Sequence, residues 1–221
     1  MASVAHISDA LPAQRGRAEQ HLTALVEQNR ALVRQCARLH VTVSRLERLA
    51  YVDGLTGLAN RRFLDEALDL EIRRATRTRL PLALVLCDID HFKRYNDSFG
   101  HQQGDNVLAL IGGTLRSSLR RAGDIAARFG GEEFALLLPN VGVMDALAFA
   151  EQVRRSVIRM RLNPPPTSPP GKLSMSLGVT TYHSGAAHRR IDLVQAADIA
   201  LYRAKAAGRN CTRYHAIKGG D

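Results

Sequence analysis

The 221-residue chain is 45% apolar and 24% charged. That is enough apolar surface for a core, so disorder as the whole answer is excluded, and the length suits one domain plus an extra piece or one large domain. Lys and Arg number 31 against 21 Asp and Glu, a net charge of +10, a basic balance that suits nucleotides, nucleic acid or an anionic membrane without choosing among them.

No apolar run approaches the roughly 18 residues needed to cross a bilayer. Met1–Gln20 has no signal-peptide apolar stretch, so a cytoplasmic protein without membrane insertion is expected. Three scattered cysteines (Cys36, Cys87, Cys211) make no disulfide framework and fit a reducing compartment. With no Trp and 5% aromatics, base-stacking platforms are not expected, and nucleic acid is not expected as a partner.

After Gln20 the apolar residues fall on alternating steps of three and four. Leu22, Cys36, Val43 and Ala50, with Asn29 among them, take heptad position a; Leu25, Leu32, Leu39 and Leu46 fill every d. Such a seam predicts a leucine-zipper helix, and one polar Asn at an a position favours a parallel, in-register pair. The plainer alternative is an amphipathic helix packed on its own domain. Cys36 and His40 share a helix face, but no further ligand pair completes a zinc site. Only Arg15 and Arg17 precede the heptads, too few for a basic DNA-binding zipper.

The turn residues of Asp53-Gly54-Leu55-Thr56-Gly57-Leu58-Ala59-Asn60 end that helix. A helix is expected from Arg61 to Thr76. Pro81–Cys87 is a short apolar run ending in acids, hence a buried central strand. Gly104-Asp105-Asn106 opens a helix to about Arg120. Ile125–Phe129 and Phe134–Leu138 flank Gly130-Gly131, a predicted hairpin. Val143–Leu162 reads as helix, Asn163–Gly171 as a proline-rich surface loop, Leu173–Tyr182 as strand and Ile191–Ala207 as the last helix. The order predicts an α/β domain, a mixed central sheet with helices on its faces.

Two turns concentrate acids. Asp88-Ile89-Asp90 leaves the central strand, and Glu132-Glu133 sits at the hairpin tip. Carboxylates brought within a few ångströms repel unless a cation intervenes. Carboxylates with a main-chain carbonyl are the hard oxygen donors that Mg²⁺ takes, leaving room for substrate phosphates. Gly130 and Gly131 leave the tip bare of side chains, so a phosphate can lie against the backbone. The bland readings are a tight type I′ turn for the glycines and strand-end solvation for Asp88 and Asp90. Their coincidence beside Lys93 favours a site.

These residues carry a resemblance. Gly130-Gly131-Glu132-Glu133-Phe134 resembles the signature of the GGDEF family of diguanylate cyclases in its GGEEF form. Asp53-x-Leu55-Thr56-Gly57-Leu58-x-Asn60-Arg61-Arg62 resembles the family's entry turn. Asp88-Ile89-Asp90-His91-Phe92-Lys93 and Asn96-Asp97-Ser98-Phe99-Gly100-His101 resemble its metal and nucleotide segments, with Gly104-Asp105 following. Ala204-Lys205-Ala206-Ala207-Gly208-Arg209-Asn210 resembles its closing helix and turn. The likeness covers about residues 50–215.

The resemblance implies a ferredoxin-like, nucleotidyl-cyclase-like palm and a reaction that joins two GTP into cyclic di-GMP with release of two pyrophosphates. It assigns Mg²⁺, two ions per half-site with Mn²⁺ as a substitute, to Asp88, the main-chain carbonyl of Ile89, and Glu132. Glu132 and Glu133 are its candidate catalytic carboxylates, without a decision on which is the base, and Lys93 neutralises phosphoryl charge. Lys205 and Arg209 are assigned to the β- and γ-phosphates, Asn96 and Asp105 to the guanine edge, and His101, Phe92, Gly130 and Gly131 to the substrate's surroundings. Asp105 has a bland alternative as a helix N-cap. Arg121 and Asp124, an Arg-x-x-Asp set five residues before the Gly-Gly, resemble the family's product-inhibition site for cyclic di-GMP.

By the same likeness the enzyme works as a homodimer, and residues 20–50 become a stalk that brings two domains together. The expected partition is a flexible segment over 1–19, a coiled-coil helix over 20–50, the cyclase domain over 51–215 and a tail over 216–221. The alternative is a catalytically silent domain kept as a cyclic di-GMP receptor. Such receptors usually lose the Gly-Gly-acid-Glu set and keep Arg-x-x-Asp; this chain has both.

Overall fold

A computed structural model describes residues 25–40, 42–43, 46, 50–164, 172–183 and 189–217. The expected segment 1–19, Leu22 of the seam, most of the proline-rich loop and the last four residues lie outside the described set. The chain divides into two compact units, Met1–Arg48 and Leu49–Asp221.

In the first unit every described residue is helical. Leu25, Leu32, Leu39 and Leu46 each leave 48–59% of their surface exposed, so the predicted d-position row is an exposed apolar row on this helix.

The second unit is a five-stranded sheet with helices on both faces. Its elements are α1 (Arg61–Thr78), β1 (Leu82–Ile89), α2 (Phe92–Phe99), α3 (His101–Ser118), β2 (Ile125–Gly130), β3 (Glu133–Pro139), α4 (Val143–Arg159), β4 (Met175–Tyr182), α5 (Arg190–Ala206) and β5 (Thr212–Tyr214). The strand order is β2-β3-β1-β4-β5. β1 lies antiparallel between β3 and β4, β2 and β3 form the hairpin, and β5 adds parallel to β4. The first four strands thus have the order of a ferredoxin-like palm.

β1 is buried along its whole length, because side chains alternate between two separate cores. Ala83, Val85, Cys87 and Ile89 face α2, α3 and α4, packing on residues such as Phe92, Ile111 and Val153. Leu82, Leu84 and Leu86 face α1 and α5, against Leu64, Leu68, Ala197 and Leu201. A continuous apolar strand followed by acids is what a two-sided burial requires. By the same alternation Asp88 falls on the α1/α5 face.

Gly178 on β4 sets how closely α5 approaches. A Cβ there would collide with the backbone of α5 at Ala197 and Leu201, so only glycine lets the helix press on the strand. That approach carries Lys205, one turn beyond Leu201, to the end of β1.

The structure departs from the sequence reading at four points. The helix after Gly100 begins at His101, so Asp105 sits in its second turn and is no N-cap; Gly100 holds that place. The chain before it forms α2, whose buried face is only Phe92 and Tyr95, too short a pattern for a periodicity reading. β5 was also unread, since three residues leave no alternation to count. The Gly-Gly turn is not type I′, because of the pair only Gly131 has positive φ (51°), and the ladder shifts register between Arg128 and Gly130.

Candidate active site

The exit of β1 gathers the acids. Asp88 lies directly opposite Glu133 in the β1–β3 ladder and opposite Ser176 in the β1–β4 ladder. Glu132 occupies the two-residue hairpin tip immediately before Glu133. Two elements distant in sequence therefore bring the three carboxylates to one end of the sheet. Lys205 from α5 completes the group, its ammonium 2.7 Å from Asp88 Oδ2.

Electrostatics record the crowding. Burial pushes the Asp88 carboxyl above its usual range; Lys205 pulls it back, while Glu132 and Asp90 push it further. Glu133 is raised as well, first by burial and then by Asp88, with Glu132 and Asp198 adding and Lys205 opposing. Two carboxyls held above their usual range beside one cationic neighbour mark a site short of positive charge. Among the described residues no three His, Cys, Asp or Glu side chains are grouped so as to hold an ion by themselves. The predicted donor set instead counts two carboxylates and the carbonyl of Ile89. All three are hard oxygen donors of the kind a divalent ion takes.

Asp90 behaves differently from Asp88. It is 4% exposed and accepts hydrogen bonds from the hydroxyls of Ser174 and Ser176, both at 2.6 Å, and from the N–H of Asn210 at 3.0 Å. Two residues on from Asp88, it is a fastening between β1, β4 and the turn after α5.

Asn96, Phe92 and Gly104 form a second group beside the strand exit. A Cβ on Gly104 would collide with Asn96 Oδ1 and come within 3.2 Å of the Phe92 ring. Gly104 therefore lets the Asn96 amide lie over α3. That oxygen is buried and has no hydrogen-bond partner, an acceptor held ready for a donor. Phe92 stacks on Tyr95 at 6.2 Å between ring centroids. His101 and Asp105 are exposed on the first turns of α3, Lys93 on the first turn of α2, and Arg209 in the closing turn. The Arg209 charge, after burial, helps hold His91 below the usual histidine range, which places Arg209 near the start of α2.

Arg121 and Asp124 lie away from these groups, in the turn between α3 and β2. Asp124 Oδ2 accepts the N–H of Arg121 at 3.1 Å; Asp124 Oδ1 is buried without a partner. A cavity of about 310 Å³ adjoins them, lined also by Leu138, Val141, Phe149 and Gln152.

Sequence reading missed Arg128. Its Nε donates to the carbonyl of Gly131 at 2.9 Å, and its guanidinium pairs with Asp53 at 3.3 Å. Asp53 also accepts from the N–H and hydroxyl of Thr56; these bonds and Arg128 outweigh burial and hold its carboxyl below the usual range. The entry turn is thereby tied to the hairpin tip. An Arg two residues before a Gly-Gly carries no signal of that in a single sequence.

The family model described as "Diguanylate cyclase, GGDEF domain" matches residues 50–211. Diguanylate cyclase DgcP of Pseudomonas aeruginosa is 39% identical over 189 residues, covering 86% of this chain and 27% of that protein. Response regulator PleD of Caulobacter vibrioides is 40% identical over 166 residues, 73% of this chain and 35% of that protein. The chain thus spans about a third or less of these relatives. Among solved structures, the coiled coil and GGDEF domain of DgcB from Caulobacter crescentus, in complex with c-di-GMP, superposes with a TM-score of 0.75 at 32% identity. It covers 88% of this chain and 98% of that one.

Proposed function

The chain belongs to the GGDEF family of diguanylate cyclases, and we propose from this that it condenses two GTP into cyclic di-GMP and two pyrophosphates. The observation that carries the reading is the register pair Asp88–Glu133, with Glu132 at the adjoining tip and Lys205 in contact. Asp88, Glu132 and the Ile89 carbonyl are the residues that would hold Mg²⁺ or Mn²⁺. Such ions, when bound, supply charge neutralisation on the phosphoryl oxygens and polarise them toward attack.

The chain's own groups do the rest. The bare tip at Gly130 and Gly131 admits the phosphates against the backbone. Lys205, Arg209 and Lys93 bring cationic donors to them. Asn96 Oδ1 accepts an N–H of the guanine edge, with Asp105 taking the neighbouring donor on the same helix pair. Phe92 and His101 wall the substrate. Either Glu132 or Glu133 takes the proton from the 3′-hydroxyl; the raised Glu133 carboxyl lies nearer the range useful to a base.

One domain holds one GTP, so the reaction needs two facing domains. The exposed leucine row of the leading helix fits a parallel pairing with a second copy, residues 20–50 forming the stalk. Pairing replaces dilute encounter by an effective concentration of about millimolar. The orphan oxygen of Asp124, Arg121 and the adjoining cavity fit a product-inhibition site for cyclic di-GMP.

The test is GTP turnover with Mg²⁺ across protein concentration, resolved by nucleotide chromatography. Cyclic di-GMP with specific activity falling on dilution is expected. Pyrophosphate without a cyclic dinucleotide overturns the reading; no turnover with tight product binding replaces it by the receptor.

A further inference from the structure

The closing turn that carries Arg209 is held in an unusual shape. Gly208, Arg209 and Asn210 have φ of 103°, 64° and 48°, three successive left-handed residues of which two carry side chains. Each such non-glycine residue costs about 1 kcal/mol or more and persists only where the surroundings over-determine it. The turn's remaining bonds are ordinary: the N–H of Arg209 reaches Ala204 O at 3.1 Å, closing α5, and Cys211 O accepts from Leu177 at 3.0 Å.

Two fastenings supply the rest. From beneath, the buried Asp90 carboxylate accepts the Asn210 N–H at 3.0 Å while Ser174 and Ser176 hold both its oxygens. From the side, Arg154 on α4 donates to Asn210 Oδ1 at 2.5 Å. Arg154 is itself clamped by Glu151 through two bonds of 2.8 and 2.7 Å. Its side chain is only 15% exposed. Asn210 is thus gripped at its backbone by the end of β1 and at its side chain by α4. The backbone of Arg209, the residue before it, is held in the turn by the same two fastenings.

We propose that Asp90 and Arg154 are positioning residues for Arg209. Without touching substrate, they hold the turn from which Arg209 reaches toward the strand exit and so set the affinity for the polyphosphate end of a guanine nucleotide. This rests on the reading of Arg209 as a phosphate ligand. The base is read elsewhere, around Asn96, so the device acts on the triphosphate and leaves recognition of the nucleoside alone. Geometric pre-organisation of this kind is felt as affinity because the strained backbone turn need not be ordered on binding.

The experiment measures, by calorimetry on the full chain with Mg²⁺, binding of the α,β-methylene analogue of GTP and of GMP. Arg154→Met is expected to weaken the analogue roughly fivefold or more and to leave GMP unchanged; Arg154→Lys restores part of the loss. In an Arg209→Ala background Arg154→Met has no further effect, since the two act as one unit. Amide exchange is expected to quicken at residues 208–210 in Arg154→Met and in Asp90→Asn, with α1 and the sheet unaltered. Equal loss for GMP and the analogue, or an undiminished effect in the Arg209→Ala background, overturns the proposal. So does wild-type affinity in Arg154→Met. If the wild-type protein binds neither nucleotide, the reading of the site falls and the proposal with it.

Discussion

The exit of β1 and the Arg121–Asp124 turn both present acids beside an arginine or lysine, yet they are built in opposite ways. At the strand exit Asp88, Glu132 and Glu133 are pooled by the hairpin and its ladder, and burial with like charges nearby raises the Asp88 and Glu133 carboxyls against a single contacting ammonium. At the turn Asp124 is held by main-chain N–H groups and Arg121 reaches the carbonyl of Asn140 at 3.4 Å, so the two charges stand apart. Pooled charge makes a place where added cations are strongly favoured; separated charge leaves each group with a main-chain partner and calls for none.

The contrast can be broken by substitution. The largest effect is expected from Asp88→Asn, which should lower cyclic di-GMP synthesis by roughly 10²-fold or more. Because burial disfavours the Asp88 charge, the melting temperature should stay level or rise. A clear fall in melting temperature would show that the pooled charge is structural.

Next is Lys205→Met. Removing the 2.7 Å partner leaves Asp88 among like charges, so both turnover and stability should fall, stability by about 1 kcal/mol after screening. A denaturant titration at neutral pH checks it. Asp88→Asn combined with Lys205→Met should recover that stability, because the unpaired charge is gone.

Arg121→Ala tests the other side. Turnover at low product should be unchanged and inhibition by cyclic di-GMP relieved, with stability altered by less than about 0.5 kcal/mol. Inhibition curves with and without added product read this directly.

The smallest effect concerns α4, which serves both regions: Gln152 lines the cavity by Asp124, while Glu151 and Arg154 reach toward the strand exit. The Arg154 hydrogen bond brings the Glu151 carboxyl down from 4.5 to about 2. A lowered carboxylate stabilises the fold above its unfolded value and loses that contribution as pH falls through the folded one. The melting difference between wild type and Glu151→Gln should therefore be full at neutral pH and fade between about pH 4.5 and 2. A difference independent of pH would mean that the carboxylate charge is not what holds Arg154.

Much of the site was legible because its chemistry is written in turns. Glu132-Glu133 after Gly-Gly, and acids after the seven-residue run Pro81–Cys87, mark two turns that a sheet can bring together. The pairing Asp88–Glu133 itself depends on register, which alternation in the apolar cores fixes: a one-residue slip would turn Asp88 toward Ile111 and Val153. Asp90 shows the limit. Two residues on from Asp88 and just past the last residue of β1, it is taken up by Ser174, Ser176 and Asn210, partners that nothing near it in the sequence announces.

By itself the sequence determined the α/β order, the two-sided burial of β1, the heptad seam and the acids at two turns, because each depends on local periodicity or turn chemistry. Only the tertiary structure decided that Lys205 contacts Asp88, that Arg128 ties Asp53 to the hairpin tip, and that Arg154 and Asp90 grip Asn210. Those contacts join residues far apart in the chain through the approach of helices to the sheet, and side-chain geometry at that range is set by packing.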